Sequence, residues 1–129
     1  MAYILDTCAL IWWTLDSDQL SKKAQQACLR MAKSEAYISS ISLWEIGVKI
    51  KNKKLDIGMD IESYVSKLEQ LSYLTILPVD TTIWLKNLSL NWKHKDPADR
   101  TIVATAIYRK AHLITKDQNI RDFYPKSLW

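Results

Sequence analysis

The sequence predicts an α/β protein, with a mainly parallel central sheet of four or five strands and helices on both faces. Three observations lead to this. Short apolar runs alternate along the chain with segments whose apolar residues recur at helical spacing. The runs end in Asp, Ser or Thr, residues that start helices. The chain has 129 residues, 48% of them hydrophobic, which is enough apolar material for a core. Two glycines, three prolines and the lack of an internal repeat exclude collagen-like, low-complexity and disordered-tail classes.

Taken in order, Tyr3-Ile4-Leu5 has strand character, and Asp6-Thr7 caps a helix carrying Leu10, Ile11 and Leu15. Ser21 precedes a second helix, with Ala24, Ala27, Cys28 and Met31 at helical spacing. Ala36 to Ile41 reads as the second strand, ending in serines, and Leu43, Ile46, Gly47 and Ile50 share one face of the next helix. After Asp60, another helix is marked by Ile61, Tyr64, Val65, Leu68 and Leu71. Leu74 to Val79 is the third strand, and Asp80 opens a helix bearing Ile83, Trp84, Leu85 and Leu88. Asp96-Pro97 begins the clearest helix, with Asp96 as its cap, Pro97 in its first turn, and Ile102, Val103, Ala106 and Ile107 as its apolar face. His112 to Thr115 is the fourth strand and runs into Lys116-Asp117. Strands separated by helices imply right-handed crossovers, and such sheets place their clefts at the carboxyl ends of the strands.

Lys and Arg number 18 against 14 Asp and Glu, so a mildly basic surface suits a polyanionic partner. The excess gathers at Lys49, Lys51, Lys53 and Lys54 and at Lys93, His94 and Lys95, runs that also fit solvated helix ends. Cys8 and Cys28 lack C-x-x-C spacing and fit reduced core residues better than a disulfide framework or a zinc site. The longest uncharged runs reach about ten residues, against the roughly 20 that a membrane-spanning helix needs. Met1 to Leu5 meets an acid at Asp6 without a positive leader, so a cytoplasmic protein is expected.

Four acids fall at the strand ends: Asp6 after the first strand, Glu45 in the helix after the second, Asp99 in the first turn of the Asp96 helix, and Asp117 after the last strand. Two carboxylates about 5 Å apart repel by roughly 3 kcal/mol at an effective dielectric of about 20. A cleft that gathers four therefore calls for a cation, and an all-oxygen donor set selects Mg²⁺ or Mn²⁺. Each acid also has a structural reading as a cap or turn residue. Glu45 resists that reading, because it lies among Leu43, Trp44 and Ile46.

These residues carry a resemblance that runs nearly end to end. Tyr3-Ile4-Leu5-Asp6-Thr7, Ser39-Ser40-Ile41-Ser42-Leu43-Trp44-Glu45-Ile46 with Lys49, Asp96-Pro97-Ala98-Asp99-Arg100, and Leu113-Ile114-Thr115-Lys116-Asp117 resemble the four motif segments of the PIN-domain family. Within it they are most similar to the VapC-type toxin ribonucleases of toxin–antitoxin pairs. The resemblance implies one PIN domain over residues 1–129 and a Mg²⁺-dependent (or Mn²⁺-dependent) endoribonuclease with Asp6, Glu45, Asp99 and Asp117 as its catalytic and metal-binding residues. It further implies a homodimer and a cognate antitoxin. One departure falls at Lys51 to Leu55, where many relatives carry glycine and this chain has Asn52, a residue that accepts a left-handed turn.

Around that centre, Thr7 and Thr115 either orient carboxylates or serve as cap and strand-packing residues, and Asp96 is either an outer-shell ligand or only a cap. Lys49, Lys51, Lys53, Lys54, Lys93, Lys95, Arg100 and Lys116 are the candidates for holding an RNA backbone, a role of affinity rather than base identity. Of the six tryptophans, at 12, 13, 44, 84, 92 and 129, most fit core or dimer burial; Trp92 alone is a candidate for stacking on a base, while Trp12 and Trp13, taken as exposed, suit dimer or antitoxin contacts. His94 reads as loop surface within reach of phosphate, and His112 as core. No side-chain general base is assigned. Two rivals within the family are a catalytically silent RNA-binding or interaction module and a housekeeping RNA-processing nuclease. A phosphoacceptor signalling domain is disfavoured, since Leu5 precedes Asp6 where that class needs a second acid.

Overall fold

The computed structural model describes residues 1–129. Five strands, β1 (Ala2–Leu5), β2 (Glu35–Ser39), β3 (Leu74–Leu77), β4 (His112–Ile114) and β5 (Ser127–Leu128), form one sheet in the order β3-β2-β1-β4-β5, with every pairing parallel. Seven helices connect them: α1 (Thr7–Leu15), α2 (Lys22–Met31), α3 (Ser40–Lys51), α4 (Ile61–Glu69), α5 (Thr81–Ser89), α6 (Pro97–Arg109) and α7 (Gln118–Phe123). None is long and apolar enough to cross a membrane.

Alternation along the strands divides the apolar side chains between two cores. Tyr3, Leu5, Ala36, Ile38 and Ile114 face a core filled from α1, α2 and α4 by Leu10, Ala24, Ala27, Met31, Tyr64 and Leu68. Ile4 and Leu113 face the opposite side, against Ile102, Val103 and Ala106 of α6 and Ile120 of α7. A sheet buried on both faces has near-continuous apolar strands, as Tyr3-Ile4-Leu5 and Leu113-Ile114 do.

All seven helices begin with a side-chain cap: Asp6, Ser21, Ser39, Asp60, Asp80, Asp96 and Asp117 each accept from a backbone N–H in the first turn. Such a bond satisfies one of the orphan donors at a helix start and stabilises by about 1 kcal/mol. In this chain four of the caps, Asp6, Ser39, Asp80 and Asp117, fall at or just beyond the carboxyl ends of strands.

The register explains where the cleft opens. Leu5 pairs with Ile38 on one side and Ile114 on the other, so Asp6, Ser39 and Thr115 emerge along one edge. The chain builds outward from β1 to β2 to β3, then returns past β1 to add β4 and β5. The switch point therefore lies between β1 and β4, where crossovers diverge and leave a crevice.

Several boundaries differ from the sequence reading. The second strand stops at Ser39, not Ile41, because the Ser39 hydroxyl caps α3 and turns Ile41 into its first turn. The third stops at Leu77 before Pro78, and the fourth at Ile114. Neither α7 nor β5 was individually marked in the sequence: both are short, and β5 is paired to β4 through only Leu113↔Ser127 and Ile114↔Leu128. The left-handed turn after α3 falls on Lys53 (φ 58°), while Asn52 keeps a negative φ. His112 is half-buried at a tilt to Tyr3, with ring centroids 5.9 Å apart, rather than a core residue. Cys28 is buried as expected, but Cys8 is exposed.

Lys110, at the end of α6, is the other non-glycine residue in the left-handed region (φ 53°), and its N–H closes the helix on Ala106 and Ile107 carbonyls. Glycine carries no Cβ penalty there. Lys110→Gly is expected to raise stability by roughly 0.5–1 kcal/mol, and Ile4→Ala, beneath α6, to lower it by about 2–5 kcal/mol; urea unfolding measures both.

Candidate functional site

A cavity of about 350 Å³ opens at the β1/β4 edge, lined by Asp6, Thr7, Cys8, Trp12, Glu45, Lys49, Asp99, Lys116 and Asp117. The four acids singled out by the sequence thus meet in one cleft, although they come from the start of α1, the second turn of α3, the first turn of α6 and the start of α7. Their donor atoms do not converge tightly: no three acidic, histidine or cysteine side chains sit within coordinating reach of one point.

Asp6 has both carboxylate oxygens held by donors, whereas Glu45, Asp99 and Asp117 each have one held. Asp6 is buried; its Oδ1 accepts from the Ala9 N–H at 2.8 Å and its Oδ2 from the Thr115 hydroxyl at 2.5 Å. The Thr115 oxygen in turn accepts from the Asp117 N–H at 3.0 Å, which ties β4 and α7 to β1. Thr7 Oγ1 donates to Glu45 Oε1 and lies 2.9 Å from Ser42 Oγ. Asp117 Oδ1 accepts from the Ile120 N–H at 3.1 Å. Asp99 Oδ2 lies 2.8 Å from His94 Nε2. The structural reading of Asp6 and Asp117 as helix caps is borne out, and the cap occupies one oxygen of each, the second oxygen of Asp6 accepting from Thr115.

The electrostatics follow from burial. Desolvation pushes the Asp6 carboxyl up from 3.8 to about 6, against the opposing Thr115 and Ala9 hydrogen bonds and with the help of the Asp99 and Asp117 charges. Burial likewise raises Glu45, opposed chiefly by the Thr7 hydrogen bond, and Asp99, opposed chiefly by His94. The molecule's one ion pair is His94–Asp99; no lysine or arginine lies within 4.0 Å of any carboxylate. The N-terminal ends of α1, α6 and α7 face this cluster and offset part of the repulsion.

The surrounding candidates divide sharply. Lys49 and Lys116 line the cleft, and Lys116 also lies over the Trp12 ring, 5.8 Å from its centroid. Lys53 and Lys54 belong to a separate surface cavity with Ile50, Leu55 and Ile57, and Lys51, Lys93 and Lys95 are exposed outside the cleft. Arg100 is spent internally on Asn87 and on the carbonyls of Leu90, Trp92 and His94, so it is not free for a phosphate. Asp96 caps α6 and lines a neighbouring apolar cavity of about 480 Å³ with Trp44 and Trp84; Glu45 is the wall shared with the carboxylate cleft.

Packing decides among the tryptophans, and partial burial is the fate of Trp92, Trp12 and Trp13. Trp92 is not open for stacking on a base: it packs on Phe123 (4.7 Å, 11° between planes) and against His94. Trp12 and Trp13 are half-buried against Trp129 and Tyr73, whereas Trp44 is 66% and Trp84 44% exposed. His94, read from the sequence as loop surface, is the residue whose contact with the cluster that reading missed. Its spacing of five from Asp99, across the start of α6, was the available signal.

The raised Asp6 carboxyl has a consequence for stability. A group whose folded pKa lies above its unfolded value contributes stability present below about pH 4 and lost as pH rises through about 6. Without divalent cations, Asp6→Asn is expected to stabilise the protein at pH 7.5 by up to ~3 kcal/mol and to change little at pH 3.5, because asparagine, like the protonated carboxyl, is neutral, keeps the oxygen that caps α1 and turns a donor toward the Thr115 hydroxyl. Urea unfolding at the two pH values in EDTA measures the difference.

Comparison with known proteins agrees with this architecture. The family model described as PIN domain matches residues 3–125. Ribonuclease VapC22 of Mycobacterium tuberculosis is 25% identical over 130 residues, covering 98% of this chain and 97% of that protein. Among solved structures, a toxin–antitoxin complex from Klebsiella pneumoniae is similar with a TM-score of 0.64 at 24% identity, covering 97% of this chain and 94% of the other. VapBC2 from Rickettsia felis, solved bound to a DNA fragment from its promoter, is similar with a TM-score of 0.68 at 20% identity over the whole of both chains. The order of the strands, the cleft at their switch point and the match along nearly the whole sequence lead to one assignment: the chain belongs to the PIN-domain family.

Proposed function

We propose that this chain is a divalent-metal-dependent endoribonuclease that hydrolyses RNA phosphodiester bonds and acts as the toxin of a toxin–antitoxin pair. The observation that carries the reading is the cleft in which Asp6, Glu45, Asp99 and Asp117 meet with no lysine or arginine paired to them. A cluster of hard oxygen donors whose carboxyls are pushed upward by burial and by one another is one that a small dication would relieve. The donor set fits Mg²⁺ or Mn²⁺ and, lacking cysteine or histidine ligation, does not favour zinc.

Asp6, Glu45, Asp99 and Asp117 would hold the ion. When bound, it supplies an acidified water as nucleophile and neutralises charge growing on the phosphorane. The protein's part is to place the scissile phosphate and to keep the carboxylates set. Lys49 and Lys116, on the wall of the cleft, are placed to meet the phosphate oxygens beside the scissile bond. Thr115 keeps Asp6 oriented from β4, and Thr7 keeps Glu45 oriented across the gap between α1 and α3. No imidazole or amine is needed as a general base.

The partners follow the same reading. A cognate antitoxin is supported by the likeness to chains solved as toxin–antitoxin complexes. A homodimer is supported by the exposed apolar side chains of α5, Trp84, Leu85 and Leu88, with Trp44 of α3 nearby across one cavity.

Purified protein freed of any partner should cleave total RNA with Mg²⁺ or Mn²⁺, fail in EDTA, and lose at least about 100-fold as Asp6→Asn or Asp99→Asn. Cleavage that survives chelation or either substitution overturns the mechanism, and absence of cleavage by the unaltered chain favours the silent-module reading. Expression should arrest growth, with relief by a co-expressed antitoxin; unhindered growth would point to a housekeeping nuclease. Lys116→Ala should weaken RNA binding across sequences and lower the salt slope by about one, whereas Lys53→Ala, outside the cleft, should leave both near their original values.

A further inference from the structure

Arg100 follows Asp99 in α6, yet its guanidinium turns from the carboxylates to the chain that leads into the helix. Nε donates to Asn87 Oδ1 (3.2 Å), Nη1 to the carbonyls of Trp92 (2.6 Å) and His94 (3.1 Å), and Nη2 to those of Asn87 (2.7 Å) and Leu90 (3.2 Å). Two of these bonds anchor the guanidinium to Asn87 of α5, and the other three define the course of the stretch from Leu90 to His94, which belongs to no helix or strand.

Held this way, the loop folds His94 back onto the helix it precedes. One side of the ring meets Trp92 (centroids 4.9 Å apart), itself stacked on Phe123 of α7, and Nε2 lies 2.8 Å from Asp99 Oδ2. A carboxylate only accepts, so the imidazole N–H is the donor. The contact completes a pattern: Asp6 Oδ2 is held by Thr115, Glu45 Oε1 by Thr7 and Asp99 Oδ2 by His94, each a side-chain donor on one oxygen, with the Ala9 N–H on the other oxygen of Asp6. Whereas the first two donors are hydroxyls just past β4 and in the first turn of α1, the third reaches in from a loop with an arginine clamp and an aromatic stack behind it.

We propose that His94 is a positioning residue for Asp99: the Arg100-clamped loop presents its Nε2–H to Oδ2, fixing the carboxylate and leaving Oδ1 for a divalent cation. The proposal rests on the metal-dependent reading above. Groups that hold metal-ligating carboxylates from behind are typically worth 10–100-fold in metal affinity.

The test is a titration of Mn²⁺ into the whole protein without RNA, with free Mn²⁺ followed by electron paramagnetic resonance. His94→Gln, whose amide N–H reaches the Nε2 position, should keep its Mn²⁺ affinity within about threefold, and His94→Leu, which fills the space against Trp92 without a donor, should lose about tenfold or more. His94→Asn, whose amide is too short to reach Oδ2, should fall with the leucine variant and keeps the test independent of how that variant folds; thermal melts of the metal-free proteins identify any that does not. Equal affinity in the original chain and the donor-less variants overturns the proposal, as does an equal loss in His94→Gln and His94→Leu. An original chain that takes up no Mn²⁺ overturns the metal reading itself, and this proposal with it.

Discussion

A carboxylate taken out of water at the end of the central strand is the constraint on which the site depends. Asp6 sits where β1 gives way to α1, with one oxygen on the Ala9 N–H in the first turn of the helix and the other on the Thr115 hydroxyl just past β4. Those bonds make its burial tolerable without making it favourable, because its carboxyl still rests well above the ordinary range. The Thr115 hydroxyl is the hinge of this arrangement. It donates to Asp6 and accepts from the N–H of Asp117, so one side chain sets both the buried acid and the start of the last helix.

The sheet order turns this local strain into a site. Since the chain reverses its direction of growth at β1, the crevice beside Asp6 is left uncovered by crossovers, and the starts of α6 and α7 converge on it. Helix N-termini bring partial positive charge, which moderates repulsion among the acids, but their caps are themselves acids. The balance leaves a cleft that remains short of positive charge, with lysines on its wall and none in contact. Such a cleft is suited to a hard cation and a phosphate together, each neutralising what the other cannot.

Stability and chemistry are opposed at this cleft and aligned elsewhere. The two cores on either side of the sheet use alternating strand residues, and on one side α6 packs Ile102, Val103 and the small Ala106 against Ile4 and Leu113. Arg100 belongs to the structural side, although its position next to Asp99 and its charge suggested an RNA contact. Its five bonds, two to Asn87 of α5 and three to the loop that follows, leave no N–H to spare, which converts a residue of obvious charge into one of internal architecture.

The amino-acid sequence by itself determined the alternation of strands and helices, five of the seven caps, and the four acids at the strand-end edge, because hydrophobic period and capping chemistry are local and act within a few residues. Of the two caps missed, Ser39 was absorbed into a strand because Ile41 continues the apolar run, and Asp117 was read as a strand-end or turn residue because α7 is only six residues long. Only the tertiary structure decided which cations share the cleft: Lys49 and Lys116 do, while Lys51, Lys53, Lys93 and Lys95 point elsewhere and Arg100 is consumed. It also decided the fate of the tryptophans and the approach of His94 to Asp99. Those outcomes depend on distances between segments far apart in the chain or on the path of an irregular loop, and neither is written in the spacing of residue types.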